Sequence, residues 1–290
     1  MNERSSKTPH PIPPPQAGEG GAHLPPPLLA GEGRGGGLAA QTPLLTARDL
    51  TLRFGRIAAL DSVDIDIHPG EVVAIVGESG SGKTTLLRVL SGLMRPDAGE
   101  VSYLGQDVLG MTEAARRRLM RTEWGFVHQN PRDGLRMAVS AGGNIGERLM
   151  ATGARHYGNI RDQAAHWLTR VEIDPTRMDE VPAKFSGGMQ QRLQIARTLV
   201  TLPKLVFMDE PTGGLDVSVQ ARLLDLIRAL VADLGLAVLI VTHDIAAARL
   251  LAHRMLVMRH GVVVESGLTD RVLDDPQHPY TQLLVSSVLA

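Results

Sequence analysis

At 290 residues, 43% of them hydrophobic, the chain is long enough to bury a sizeable core in one or two domains. Its 30 basic and 31 acidic side chains leave a formal net charge of −1, so the composition offers neither a strongly basic field for nucleic acid nor a polybasic tail for a membrane surface. Cysteine is absent, which excludes disulfides, thiolate metal sites and cysteine nucleophiles and fits a reducing compartment.

The longest apolar runs, such as residues 236–241, are far too short to cross a bilayer, and no charged-then-apolar signal segment opens the chain. A soluble, cytoplasmic protein is expected, with no direct membrane span and no nucleic-acid partner. Residues 1–42 are rich in proline and glycine and carry a crude repeat: Pro13-Pro14-Pro15-Gln16-Ala17-Gly18-Glu19-Gly20 is echoed by Pro25-Pro26-Pro27-Leu28-Leu29-Ala30-Gly31-Glu32-Gly33. Such a segment buries too little apolar surface to offset its ordering entropy and is expected to be disordered. Two alternatives stand beside that expectation: a Pro-rich recognition motif, and a start codon assigned upstream of the true domain.

From residue 43 the pattern becomes regular. Positions 44–54 and 63–67 alternate apolar and polar, as half-buried antiparallel strands do. The apolar run 71–76 is followed by Gly77-Glu78-Ser79-Gly80-Ser81-Gly82-Lys83-Thr84 and then by the helical Thr85-Leu86-Leu87-Arg88-Val89-Leu90. Strand, glycine-rich loop and helix are the setting in which G-x4-G-K-[ST] means a phosphate-binding loop rather than an ordinary βα turn. Glycines let successive N–H groups curl into an anion-binding nest at a helix N-terminus. Lys83 is suited to reach the β- and γ-phosphates, and the Thr84 hydroxyl to ligate Mg²⁺.

A short strand is expected near 101–104, and Thr112 can cap a helix carrying Arg116, Arg117, Arg118 and Arg121. That cluster reads as a solvated face, with a docking surface as the alternative. A strand over 125–128 ends at Gln129, after which residues 131–183 read as helices and loops. Ser186-Gly187-Gly188-Met189-Gln190-Gln191-Arg192 opens another helix with small residues at its start, which suits anion binding. The continuous apolar run 205–208 has the character of a central parallel strand buried on both faces. It delivers Asp209 and Glu210 at its C-terminal end, where ligands bind in open α/β sheets, and two adjacent acids there repel unless a cation or a proton intervenes. An amphipathic helix over 216–234 closes at Gly235. The strand 236–241 ends in Thr242-His243-Asp244, which places His243 on the sheet edge that carries the carboxylates. Two short strands and terminal helices complete the chain.

Together these stretches resemble the ATP-binding cassette (ABC) ATPases over residues 43–290, with the motifs in the family's order. Gly77 to Thr84 is similar to the Walker A loop, Gln129 to the Q-loop, and Ser186, Gly187, Gly188, Met189 and Gln190 to the signature motif. Residues 205–210 match Walker B, Gly214-Leu215-Asp216 the D-loop, and His243 the switch histidine. The resemblance implies an α/β fold: a P-loop NTPase nucleotide-binding domain with a mixed-sheet, RecA-like core, an antiparallel β subdomain and an inserted helical subdomain over about 131–200. It also implies that ATP is held by Gly77, Glu78, Ser79, Gly80, Ser81, Gly82, Lys83, Thr84 and Thr85. Phe54 stands where the family stacks an aromatic on adenine; the alternative is a core phenylalanine at a strand end. Mg²⁺ is implied on Thr84 and Gln129, with Asp209 acting through water. Glu210 is the implied general base, His243 contacts the γ-phosphate, and Gln129 completes the catalytic set. The signature segment and Asp216 would act across a homodimer that sandwiches two nucleotides. Three departures stand out: Phe185 precedes the signature where Leu is usual, Met189 replaces the commonest Gln, and the D-loop carries the extra glycine of Gly213-Gly214.

The tail Asp275-Pro276-Gln277-His278-Pro279-Tyr280-Thr281-Gln282-Leu283-Leu284 is similar to the end of the core domain in oligopeptide and dipeptide importer ATPases. Residues 121–158, 211–220 and 265–273 resemble instead the ATP-binding subunits of the bacterial phosphonate carbon–phosphorus lyase system. That resemblance implies docking on a soluble lyase core complex during phosphonate catabolism, with the radical chemistry done by the core's iron–sulfur cluster and S-adenosylmethionine. A chain without cysteine supplies no thiolate ligands for such a cluster. The docking surface is expected within 131–158, with Arg132 and Arg136 contributing. An importer motor remains the alternative. A cassette acting on nucleic acid is disfavoured by the near-neutral charge and the single cassette.

Overall fold

The computed structural model describes residues 42–289, so the expectations about residues 1–41 lie outside it. In chain order, β1 (Leu45–Phe54) and β2 (Ile57–Ile67) form an antiparallel hairpin that turns at Gly55, whose φ of +60° suits a residue without Cβ. β3 (Val72–Val76) runs through the glycine-rich loop into α1 (Lys83–Leu90). β4 (Ala98–Tyr103) pairs antiparallel with β1, and the two-residue β5 (Gln106–Asp107) completes a sheet of order β2-β1-β4-β5. β2 begins at Ile57 rather than at 63, because residues 57–60 are all apolar and show no apolar–polar alternation.

Helix α2 (Glu113–Thr122) is capped by the Thr112 hydroxyl, which accepts from Ala115 N–H, and none of its side chains is fully buried. β6 (Trp124–Val127), β7 (Leu205–Asp209), β8 (Ala237–Val241), β9 (Arg254–Arg259) and β10 (Val262–Leu268) join β3 in a second sheet. Its order is β10-β9-β3-β8-β7-β6, parallel throughout except for β10, which runs antiparallel to β9. Every residue of β3, β7 and β8 is buried, as expected for strands covered on both faces. Alternate positions serve two different cores. Val72, Ala74, Val206, Met208, Val238 and Ile240 face one, while Val73, Ile75, Leu205, Phe207, Leu239 and Val241 face the other. The second core joins α1 and the antiparallel sheet to the parallel one, with Trp124 set edge-on to both Tyr103 and Phe207. Each fully buried Leu, Ile or Phe contributes about 1.5–3 kcal/mol, so the strand ends that carry the site are held from both sides.

Between β6 and β7 lie α3 (Pro131–Gly134), α4 (Ala141–Ala151), α5 (Tyr157–Arg170) and α6 (Gly187–Leu199), joined by 3-10 turns. Trp167 and Leu168 of α5 and Leu193 of α6 share the first core with Val206 and Met208, so this helical stretch packs on the sheet's own core. Asn144 is fully buried yet satisfied: it donates to the carbonyls of Arg136, Val139 and Ser140 at 3.1, 2.9 and 3.1 Å and accepts from Arg136 N–H at 2.8 Å. α7 (Val217–Leu234) ends at Gly235 in the left-handed region. α8 (Ile245–Leu251), α9 (Thr269–Asp274) and α10 (Pro279–Leu289) follow.

Candidate functional site

The glycine-rich loop adopts a conformation that only glycine allows at its tight points. Gly77 has φ of +149°, and a Cβ there would lie 2.2 Å from the Met258 carbonyl; Gly82 has φ of +105°, and its Cβ would lie 2.3 Å from the Ala59 carbonyl. The loop therefore closes against β9 and β2. Lys83, 5% exposed, donates to the carbonyls of Gly77 and Glu78 at 2.8 and 2.7 Å and reaches Ser81 Oγ at 3.4 Å. Burial pulls its ammonium below the ordinary lysine range, an effect opposed by the charges of Glu210, Asp209 and Glu78. A cation held by loop carbonyls and faced by two carboxylates is placed to exchange those partners for phosphate oxygens. Glu78, Ser79 and Gly80 are exposed, and Thr84 and Thr85 are half-buried at the start of α1.

Across the sheet, β7 ends in the two predicted carboxylates, and the backbone separates them. Asp209 completes the strand, 8% exposed, and accepts from Thr84 Oγ1 on Oδ1 at 3.1 Å. Burial pushes its carboxyl above the usual range; the Thr84 hydrogen bond opposes that shift and the Glu210 charge adds to it. Glu210 N–H still bonds Val241 O at 2.9 Å, but its φ of +41° turns the chain out of the strand. The two acids consequently meet different partners. Glu210 accepts from Gln129 Nε2 on Oε2 at 2.9 Å, and His243 Nδ1 lies 3.2 Å from Oε1.

Local sequence explains how those partners arrive. Gln129 follows β6, and Asn130 then caps α3, with Pro131 in the first helical turn. His243 follows β8, where Thr242 Oγ1 accepts from Asp244 N–H at 3.0 Å and Asp244 caps α8. The glycines of the D-loop have separate reasons. Gly214 has φ of +73°, whereas a Cβ on Gly213 would crowd the Glu210 carbonyl at 3.2 Å and meet Gln129 Nε2 in ordinary contact at 3.4 Å. Glycine at 213 thus keeps the chain clear of the Glu210 backbone carbonyl. Asp216 begins α7 without a side-chain cap bond.

The signature segment opens α6. Ser186 Oγ accepts from Met189 N–H, Gly188 would carry a Cβ 2.6 Å from Val219, and Gln190 is buried, donating to the carbonyls of Pro182 and Phe185 at 3.0 Å each. Phe185 is buried beneath the Arg177 guanidinium, 4.7 Å from its ring centroid. Met189 Sδ lies 3.4 Å from Arg177 Nη1, so both departures from the usual signature meet one arginine. Phe54 is 53% exposed at the end of β1, which removes the alternative of a core phenylalanine.

Two contacts beside the site carry no signal in the sequence. Gln194, 1% exposed on α6, accepts from His128 N–H at 2.7 Å and donates to His128 O at 3.1 Å, gripping the backbone just before Gln129. Tyr280 on α10 accepts from the Glu78 N–H of the loop. Neither contact follows from periodicity or motif.

A glycine loop with an inward lysine, a hydroxyl bonded to the first of two strand-end acids, and an amide and an imidazole on the second define a P-loop nucleotide-hydrolysing cassette. The chain belongs to the ABC transporter family, which it matches over residues 60–213, and it is an ATP-binding ATPase of that family. It is 68% identical over 247 residues to a protein of Escherichia coli K12 named for phosphonates utilization and ATP binding, PhnK, with 85% of this chain and 98% of that one covered. It is 37% identical over 233 residues to the oligopeptide transport ATP-binding protein OppF of Salmonella typhimurium LT2, covering 80% of this chain and 70% of that protein. A solved dimeric ATP-binding cassette in a post-hydrolysis state with ADP and Pi superposes with a TM-score of 0.71 at 30% identity, covering 78% of this chain and 98% of that one. Among the described residues, no helix is long and apolar enough to cross a membrane.

Proposed function

We propose that this chain is the ATP-hydrolysing subunit of a phosphonate carbon–phosphorus lyase system, working in the cytoplasm as a homodimer and docking on a soluble lyase core complex. The observation that carries the reading is the likeness to the E. coli phosphonates-utilization protein: it covers 85% of this chain and 98% of that one, at far higher identity than the importer ATPase reaches. The dimeric cassette holding ADP and Pi supports the homodimer.

ATP sits on the amides of residues 77–85 with Lys83 on its phosphates, and Phe54, exposed beside the hairpin, stacks on the adenine. Glu210 orients and deprotonates the attacking water, Gln129 and His243 fix the two oxygens of its carboxylate, and His243 reaches the γ-phosphate. Ser186, Gly187, Gly188, Met189 and Gln190, with Asp216, complete the partner's site. Residues 43–290 form the ATPase domain, and the helical stretch about 131–200 is its inserted subdomain. Mg²⁺ fits the oxygens of Thr84 and Gln129, with Asp209 acting through water, because Thr84 Oγ1 and Asp209 Oδ1 already lie 3.1 Å apart and a buried acid beside a second acid calls for a cation. Among the described residues no group of three His, Cys, Asp or Glu could hold a metal, so phosphate and water must supply the remaining ligands. Bound there, the ion would neutralise charge on the β- and γ-phosphates.

Docking falls to residues 131–158. Within that stretch Arg136 is already paired with Glu147 at 2.7 Å, so Arg132, exposed on α3, is the cleaner probe. Replacing the gene by its Glu210→Gln form is expected to abolish growth on a phosphonate as sole phosphorus source and to spare growth on phosphate. Unchanged growth on the phosphonate, with loss of peptide uptake, would mean an importer motor.

A further inference from the structure

The phosphate loop is braced from outside by the C-terminal part of the chain. The turn between β9 and β10, His260-Gly261 with φ of +49° and +82°, brings Gly261 N–H to the Ser81 carbonyl at 2.9 Å. At the start of the loop the brace is a side chain: the Tyr280 hydroxyl accepts from Glu78 N–H at 3.0 Å. Tyr280 is 4% exposed, and the Arg259 guanidinium lies 4.8 Å from its ring centroid. The approach to α10 is fixed as well. Glu265 accepts from the N–H groups of Gln277 and His278 at 2.8 and 3.0 Å, and His278 Nδ1 accepts from Tyr280 N–H at 3.1 Å.

A phenylalanine would bury the same ring against the same arginine, so packing alone does not call for the hydroxyl. Among the described residues, its hydrogen-bond partner is a backbone N–H of the loop. Without the phenol that half-buried N–H would lose its acceptor and the first bend of the loop its anchor. We infer that Tyr280 is a positioning residue for nucleotide binding: its hydroxyl fixes the first bend of residues 77–84, so that the loop amides are set before phosphate arrives. Pre-setting a loop raises affinity by removing the cost of ordering it on binding. The Tyr280 hydroxyl bonds the loop and not Glu210, Gln129 or His243, so its effect falls on binding and not on the chemical step. This rests on the ATP-binding reading of the loop.

The test is Tyr280→Phe in the full-length protein, with the Kd of a fluorescent ATP analogue, steady-state KM and kcat for ATP, and the thermal midpoint measured together. One lost neutral hydrogen bond predicts Kd and KM raised about 3- to 10-fold, with kcat at saturating ATP kept within about twofold. The thermal midpoint without nucleotide should move by no more than about 3 °C, since one neutral hydrogen bond is lost and the ring's packing is kept. An unchanged Kd overturns the proposal, with or without a fall in thermal midpoint, because Tyr280 would then only pack. A fall in kcat at unchanged Kd also overturns it. Failure of the unaltered protein to bind the analogue would remove the nucleotide reading, and the proposal with it.

Discussion

Gln129 Nε2 donates to Glu210 Oε2 at 2.9 Å, joining the second residue after β6 to the first residue after β7 at the ends of neighbouring parallel strands. The other oxygen of the same carboxylate faces His243 Nδ1 at 3.2 Å, so Glu210 is oriented from two neighbouring strand ends. Glu210→Gln is expected to bind ATP, to turn over about 10²–10⁴-fold more slowly, and to accumulate as a dimer in ATP and Mg²⁺. Steady-state hydrolysis and light scattering read both effects, and near-normal turnover removes Glu210 from the role of general base.

Gly77→Ala is expected to lose nucleotide binding and about 1–3 kcal/mol of stability. Its φ of +149° strains any L side chain, and the new Cβ would meet the Met258 carbonyl at 2.2 Å. Denaturant unfolding and a binding titration check the two effects. A variant as stable and as tight-binding as the parent would mean that the loop is not braced as described.

The phosphate loop, the paired acids and His243 were legible in the sequence because each is a short run whose chemistry is local, read off a strand followed by a turn. Phe54 and Gln129 were legible only through their likeness to a family, since one aromatic or one amide after a strand has no signal of its own. The contacts of Gln194 and Tyr280 were not legible at all. Gln194 lies 66 positions from His128 and Tyr280 lies 202 from Glu78, and such contacts depend on how the sheet brings distant segments together. The reason for glycine at 213 was not legible either: a Cβ there would crowd the Glu210 carbonyl at 3.2 Å.

Gln194→Leu keeps the volume but leaves His128 N–H without its acceptor, in a buried setting. A loss of about 1–3 kcal/mol is expected. Because the bond fixes the backbone just before Gln129, kcat should fall while ATP affinity is retained. Equal kcat in variant and parent would confine Gln194 to packing.

Asp209→Asn is expected to raise the thermal midpoint of the nucleotide-free protein near neutral pH. Burial, first, and the Glu210 charge hold the folded-state carboxyl above its unfolded value, so between those two values the folded state binds the extra proton and stability falls as pH rises. Above the folded value that loss is complete, and below the unfolded value it vanishes, so the gain in the variant should disappear in acid. Thermal melts across pH check this; a variant that is less stable at neutral pH would contradict it. The same variant should lose stabilisation by Mg²⁺ with ATP, since a ligand that binds only the folded state raises its stability.

The most direct measurement is a co-purification with tagged Glu210→Gln in ATP and Mg²⁺, from cells grown on a phosphonate as sole phosphorus source, with detergent-solubilised membranes included. The expected result is recovery of soluble lyase subunits, reduced when Arg132→Glu is added. Recovery of a membrane permease in their place would contradict the assignment to the lyase system and leave an importer motor.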